Sequence, residues 1–140
     1  MSPQHLREDG QGFVYNMWQA VELISEVNES PMNIGLLVDF FHCHVAGHSP
    51  EDVSNLPKHS IVHAYVNDAP DVPLDEQRNL ERCIPGEGVI DVPAYIEAIQ
   101  EVGYRGAMGT KIYGSDLHHL PSVQAAKRAR VAVLDAIRGI

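Results

Sequence analysis

Two hydrophobic patterns alternate along the chain, one at helical spacing and one in short apolar runs, and their order predicts an α/β protein. Met17, Ala20, Val21, Ile24 and Val27 recur at helical intervals. Asn16 reads as the N-cap, and Gln19 completes a capping box, so a helix runs to about Asn28. Pro31 and Asn33 break that pattern. Residues 34–39 are then a near-continuous apolar run, which suits a parallel strand covered on both faces. Ser49-Pro50-Glu51-Asp52 reads as a helix start, and Pro57 limits that helix to two turns. A second strand is expected over 61–66.

The polar stretch 67–90 contains Pro70, Pro73 and Pro85-Gly86-Glu87-Gly88. A loop this long within a compact domain is usually functional or wrongly assigned. Residues 91–102 read as a helix closed by Gly103. A third strand is expected over 107–113, a loop over 114–120 and an amphipathic helix over 122–138. The architecture is thus one helix followed by three strand–helix units. Three parallel strands with crossover helices form part of a (β/α) barrel, since an eight-unit barrel takes about 250 residues. Residues 1–12 are polar and aperiodic and read as an extended arm, with 13–140 as a single domain.

Charge and cysteine content narrow the function. The net charge of −9 argues against nucleic acid, where basic patches supply most of the affinity. The acidic residues are scattered, as on a merely soluble surface. No apolar run approaches 18 residues and no charged-then-apolar start occurs, so no membrane segment is expected and the cytoplasm is the default compartment. Cys43 and Cys83 lack CxxC spacing and give no metal, redox or disulfide signature.

Ligands of parallel α/β proteins bind at the carboxyl ends of the strands. The first strand ends in Asp39-Phe40-Phe41-His42-Cys43-His44, the second carries His63, Tyr65 and Asn67, and the third carries Lys111 and Tyr113. Alternation puts His63, Tyr65 and Asn67 on one face of their strand, and likewise Gly109, Lys111 and Tyr113 on one face of theirs. If Leu37 and Asp39 point inward, Asp39, Tyr65 and Lys111 meet inside the sheet's curve. Such an Asp–Lys pair fits a functional site and a buried structural ion pair equally well. Asp39, His42 and His44 have a metal-ligand composition, but spacing alone selects no set from the eight histidines. His44, His48, His118 and His119 read as solvated loop residues.

Four segments carry a resemblance. They are Gly35-Leu36-Leu37-Val38-Asp39-Phe40-Phe41-His42, Ile61-Val62-His63-Ala64-Tyr65-Val66-Asn67-Asp68-Ala69-Pro70, Pro85-Gly86-Glu87-Gly88-Val89-Ile90-Asp91 and Gly103-Tyr104-Arg105-Gly106. In order and spacing they resemble the sugar phosphate isomerase/epimerase family, xylose-isomerase-like TIM barrels that include inosose isomerases. The resemblance runs from about Phe13 to the end and matches only the C-terminal part of that barrel, its fifth helix and its sixth to eighth strands.

The resemblance implies a divalent metal held by Glu, Asp, His and Glu, the glutamates also moving protons between adjacent sugar carbons. Asp39 matches the metal Asp, and His42 matches a histidine that commonly contacts substrate. Tyr65 stands at the metal His and Lys111 at the last Glu, and the first Glu belongs to a strand with no counterpart here. Tyr and protonated Lys are poor ligands for a cation. No metal or other cofactor is therefore expected, except a divalent cation held by Asp39 with substitute ligands.

Two functions follow. In one, the chain is an isomerase or epimerase acting on a small keto-sugar, inosose or polyol. Lys111 serves as base or Schiff-base amine, Asp39, His42 and Tyr65 shuttle protons, and His42, His63 and Asn67 bind substrate. In the other, it is a catalytically degenerate barrel fragment. Either way two strand edges and one apolar sheet face need cover, so a homo-oligomer or a partner barrel fragment is expected.

Overall fold

The structure, a computed structural model, describes residues 14–27, 33–113 and 116–138. The expected arm over 1–12 lies outside them. Helix α1, Met17–Val27, buries Met17, Ala20 and Ile24. Its start departs slightly from a capping box. Asn16 Oδ1 accepts the Gln19 amide at 2.9 Å, but the Gln19 side chain accepts from Tyr15. Strands β1 (Leu36–Asp39), β2 (Ile61–Tyr65) and β3 (Met108–Gly109) form one parallel sheet in that order. Helices α2 (Phe40–Val45) and α3 (Pro50–Ser54) follow β1, α4 (Val92–Glu101) follows β2, and α5 (Ser122–Arg138) follows β3. No helix among the described residues is long and apolar enough to cross a membrane.

Leu36, Val38, Ala64 and Val66 join Ile96, Ile99 and Val102 of the α4 region in the core, sealing one face of the sheet. At about 25 cal/mol per Å² of apolar surface removed from water, this burial is the main term holding the layers together. Helix α4 ends in a left-handed glycine. Gly103 has φ +103°, its amide donates to Gln100 O, and the Tyr104 amide donates to Ile99 O, both at 3.0 Å. A Cβ there would also stand 2.8 Å from the His59 ring.

Three elements differ from expectation. β1 begins at Leu36 rather than 34, its pairing with β2 is irregular between Leu36 and Leu37, and Gly35 before it lies too close to Ser60 and Val62 for a side chain. The stretch after Asp39 turns into α2 because Asp39 caps it, accepting the Phe41 and His42 amides at 3.1 and 3.4 Å. β3 stops at Gly109, four residues before the expected end, because the Lys111 amide donates to the Asn67 side chain at 2.7 Å and not to a strand neighbour.

The long loop after β2 is not a misassigned element. Asp68, fully buried, accepts the amides of Ala69, Gly86, Gly88 and Ile90 at 2.8–3.0 Å. One carboxylate thereby folds Pro85-Gly86-Glu87-Gly88 back onto the end of β2. Asp68→Asn turns an amide NH₂, itself a donor, toward some of these donors and should cost at least about 3 kcal/mol, the worth of one or two bonds to a charged acceptor. Urea unfolding measures that loss, and amide exchange should speed up most at Gly86 and Gly88.

Candidate functional site

The register of the sheet sets the layers of the site. Asp39 pairs with Tyr65, Tyr65 with Gly109, and Leu37 with His63. Gly109, not Lys111, therefore flanks Tyr65. Lys111 sits one layer higher, beside Asn67. The lack of a side chain at Gly109 is needed here, since a Cβ would come within 2.9 Å of the Tyr65 ring and 3.4 Å of His63 Nε2. The His63 and Tyr65 rings, both half-buried, meet edge to face with centroids 4.9 Å apart.

Asp39 is 4% exposed and its charge is met from several sides. Oδ1 accepts from the α2 amides and from Asn67 Nδ2 at 2.9 Å, and Oδ2 accepts from Arg82 Nη1 at 2.8 Å. The expected Asp39–Lys111 ion pair is thus replaced by an Asp39–Arg82 pair with both side chains buried. Arg82 comes from the long loop, just beyond a single 3₁₀ turn, Asn79–Glu81. Its Nε donates to Asn79 O and Oδ1 at 3.2 and 3.1 Å, and its guanidinium stacks 4.6 Å from the Phe41 ring centre. Its Nη2 lies 3.0 Å from His42 Nε2. Arginine has only donors to offer, so His42 Nε2 accepts and the ring carries its proton on Nδ1.

Of the six candidates, Asp39, His42 and Asn67 lie in one hydrogen-bonded cluster built around Arg82, all of them buried. Lys111 joins it through its backbone amide. Its half-buried ammonium lies 5.5 Å from the Tyr113 ring centre, and the Arg82 guanidinium lies 5.9 Å from the same ring. Among the described residues the ammonium makes no salt bridge. His63 and Tyr65 form a separate pair on the open face. Cys43 is buried, and burial, helped by the Asp39 charge, pushes its thiol up to about 12, so it carries no thiolate chemistry at neutral pH.

Sequence reasoning missed Arg82. The usable signal was Asp39 itself, an acid at the end of an apolar run that demands a buried cation. Strand alternation offered Lys111 for the role, while Arg82 lies in a loop where no periodicity places a side chain.

A family model for the xylose isomerase-like TIM barrel matches residues 5–134. The inosose isomerase of Bacillus subtilis (strain 168) is 27% identical over 119 residues, covering 85% of this chain and 42% of that protein. The 3-dehydroshikimate dehydratase of Pseudomonas aeruginosa is 27% identical over 128 residues, covering 89% of this chain and 19% of that protein. A crystal structure of the IOLI protein with a binding zinc atom superposes with a TM-score of 0.86 at 25% identity. That match covers 97% of this chain and 47% of the other. The chain therefore spans less than half the length of the relatives it matches, consistent with the C-terminal part of a barrel.

Proposed function

Because the chain belongs to the xylose isomerase-like TIM barrel family, we propose that it binds a small keto-sugar, inosose or related polyol and epimerises a keto substrate, removing and returning the proton on the carbon beside the keto group. The ligand sits at the carboxyl ends of β1, β2 and β3, over His63 and Tyr65. The observation that carries this reading is Lys111, a half-buried amine fixed by its backbone to Asn67 and without an ion pair among the described residues. A degenerate, non-enzymatic fragment draws no support from the relatives, which are named as an isomerase and a dehydratase.

In this mechanism the amine of Lys111 adds to the keto carbon, and the carbinolamine oxygen takes up a proton from solvent and leaves as water, forming an iminium. The iminium acidifies the neighbouring C–H, and His63 accepts that proton as the enamine forms. Return of a proton, from the same ring or from the Tyr65 hydroxyl, sets the product's configuration, and hydrolysis frees the amine. Asp39 and His42 are too buried to meet substrate. Asp39 acts by position, holding Asn67 and through it the backbone of Lys111, while His42 bears on the Arg82 guanidinium.

The zinc of the IOLI structure raises the question of a metal in this chain. The donor set does not fit one. Oδ2 of Asp39 is taken by Arg82, and Tyr65 and Lys111 stand where the resemblance puts a His and a Glu. Among the described residues no three His, Cys, Asp or Glu side chains cluster as ligands. We therefore read the reaction as independent of a bound metal. A panel of keto-sugars and inososes incubated with the protein in EDTA, followed by NMR for exchange of the carbon-bound proton with D₂O, tests the function. Exchange in none of them would defeat it.

Assembly follows from the sheet. Beside the free edge of β3, a cleft of about 440 Å³ opens between Met108–Gly109 and the α5 residues Val133, Leu134 and Ile137. No side chain of α5 is fully buried. Such an edge and face call for a second copy or a partner barrel fragment. Sedimentation at micromolar concentration should show a species heavier than the 15.5 kDa chain, and a compact monomer would contradict this.

A further inference from the structure

We propose that the Arg82 guanidinium is the resident cation of this site, standing on Asp39, the carboxylate that the resemblance makes a metal ligand, and on His42 beside it. This deepens the metal-free reading above and rests on it. Two contacts carry the inference. Nη1 lies 2.8 Å from Asp39 Oδ2, and Nη2 lies 3.0 Å from His42 Nε2. Asp39 and His42 are the carboxylate and imidazole nearest the end of β1, and one planar group binds both through separate nitrogens.

The guanidinium is placed, not merely present. Asn79 holds Nε, the Phe41 face lies 4.6 Å beneath the carbon centre, and the residue is 1% exposed. A group this buried and this fully bonded is part of the packed interior, and its planar fork suits it to bridge a carboxylate and an imidazole. A divalent ion at Asp39 would face that positive charge across a few ångströms of low-dielectric interior. The same charge keeps the His42 Nε2 lone pair occupied. The family's cation has thus been exchanged for a covalently attached one, and the requirement for metal uptake goes with it.

Manganese(II) is the probe, read by calorimetry and by its electron paramagnetic resonance signal on the full chain. The wild type and Arg82→Lys should show no stoichiometric site. Arg82→Ala frees Asp39 Oδ2 and His42 Nε2 and should bind manganese at least about 10-fold more tightly than the weak, non-stoichiometric background binding of the wild type, the lower end of the range over which one group beside a ligand changes metal affinity. If Arg82→Ala is poorly folded, manganese should raise its melting temperature while leaving those of the wild type and Arg82→Lys unmoved. One tight manganese in the wild type, lost in Asp39→Asn, overturns the inference and the metal-free mechanism, while the sugar panel still decides the substrate class. An Arg82→Ala protein that gains neither affinity nor stability from manganese overturns the inference alone.

Discussion

Replacing Lys111 with methionine should abolish turnover and leave the fold standing. The amine is the proposed nucleophile, so the loss should reach at least the ~10²–10⁴-fold typical of removing one positioned proton-transfer group. Stability should change by less than about 1 kcal/mol, because the ammonium makes no salt bridge among the described residues and the methionine keeps the apolar stem. Borohydride added with a keto-sugar supplies a direct readout. Hydride reduces the iminium to a secondary amine, so mass spectrometry should find the sugar's carbon skeleton attached at Lys111. Intact turnover in Lys111→Met would remove the Schiff-base mechanism. Loss of stability without an adduct would mean that Lys111 is a structural residue.

The α/β class and the three parallel strands were legible because each strand and helix carries its own period, and each boundary its own punctuation. Ser49, Asp91 and Gly103 do at their helix ends what their residue types predict. Two things were not legible. The upper end of β3 is set by a side chain: the Asn67 carbonyl oxygen accepts the Lys111 amide that strand pairing would otherwise have used. The partner of Asp39 was hidden for a related reason. Arg82 reaches it from 43 residues away in sequence, out of a loop whose shape depends on Asp68 gathering four amides. Periodicity reports on faces of regular elements and says nothing about such a loop. The resemblance located Asp39, Tyr65 and Lys111 as the positions of interest, but the cation that changes their chemistry lies outside the strands.

Breaking the Asp39–Arg82 pair from either side should destabilise the protein more than any other single polar change at the site. Asp39→Ala leaves a guanidinium with no exposed side-chain surface and removes the acceptor of the Phe41, His42 and Asn67 donors. Arg82→Met leaves a carboxylate 4% exposed with its backbone and amide donors but no cation. Removing one member of a buried pair typically costs about 3–5 kcal/mol, because the other charge stays buried without compensation. The double variant Asp39→Ala/Arg82→Met should be far less than additive, recovering about 1–3 kcal/mol relative to the sum of the single losses, as expected of groups in contact. Part of the Asp39→Ala loss will not return, since the α2 cap and the Asn67 anchor depend on Oδ1 and not on the ion pair. Urea unfolding of the four proteins closes the cycle. Additivity within about 0.5 kcal/mol would show that the two charges do not depend on each other, and that Asp39 is held by its amide donors alone.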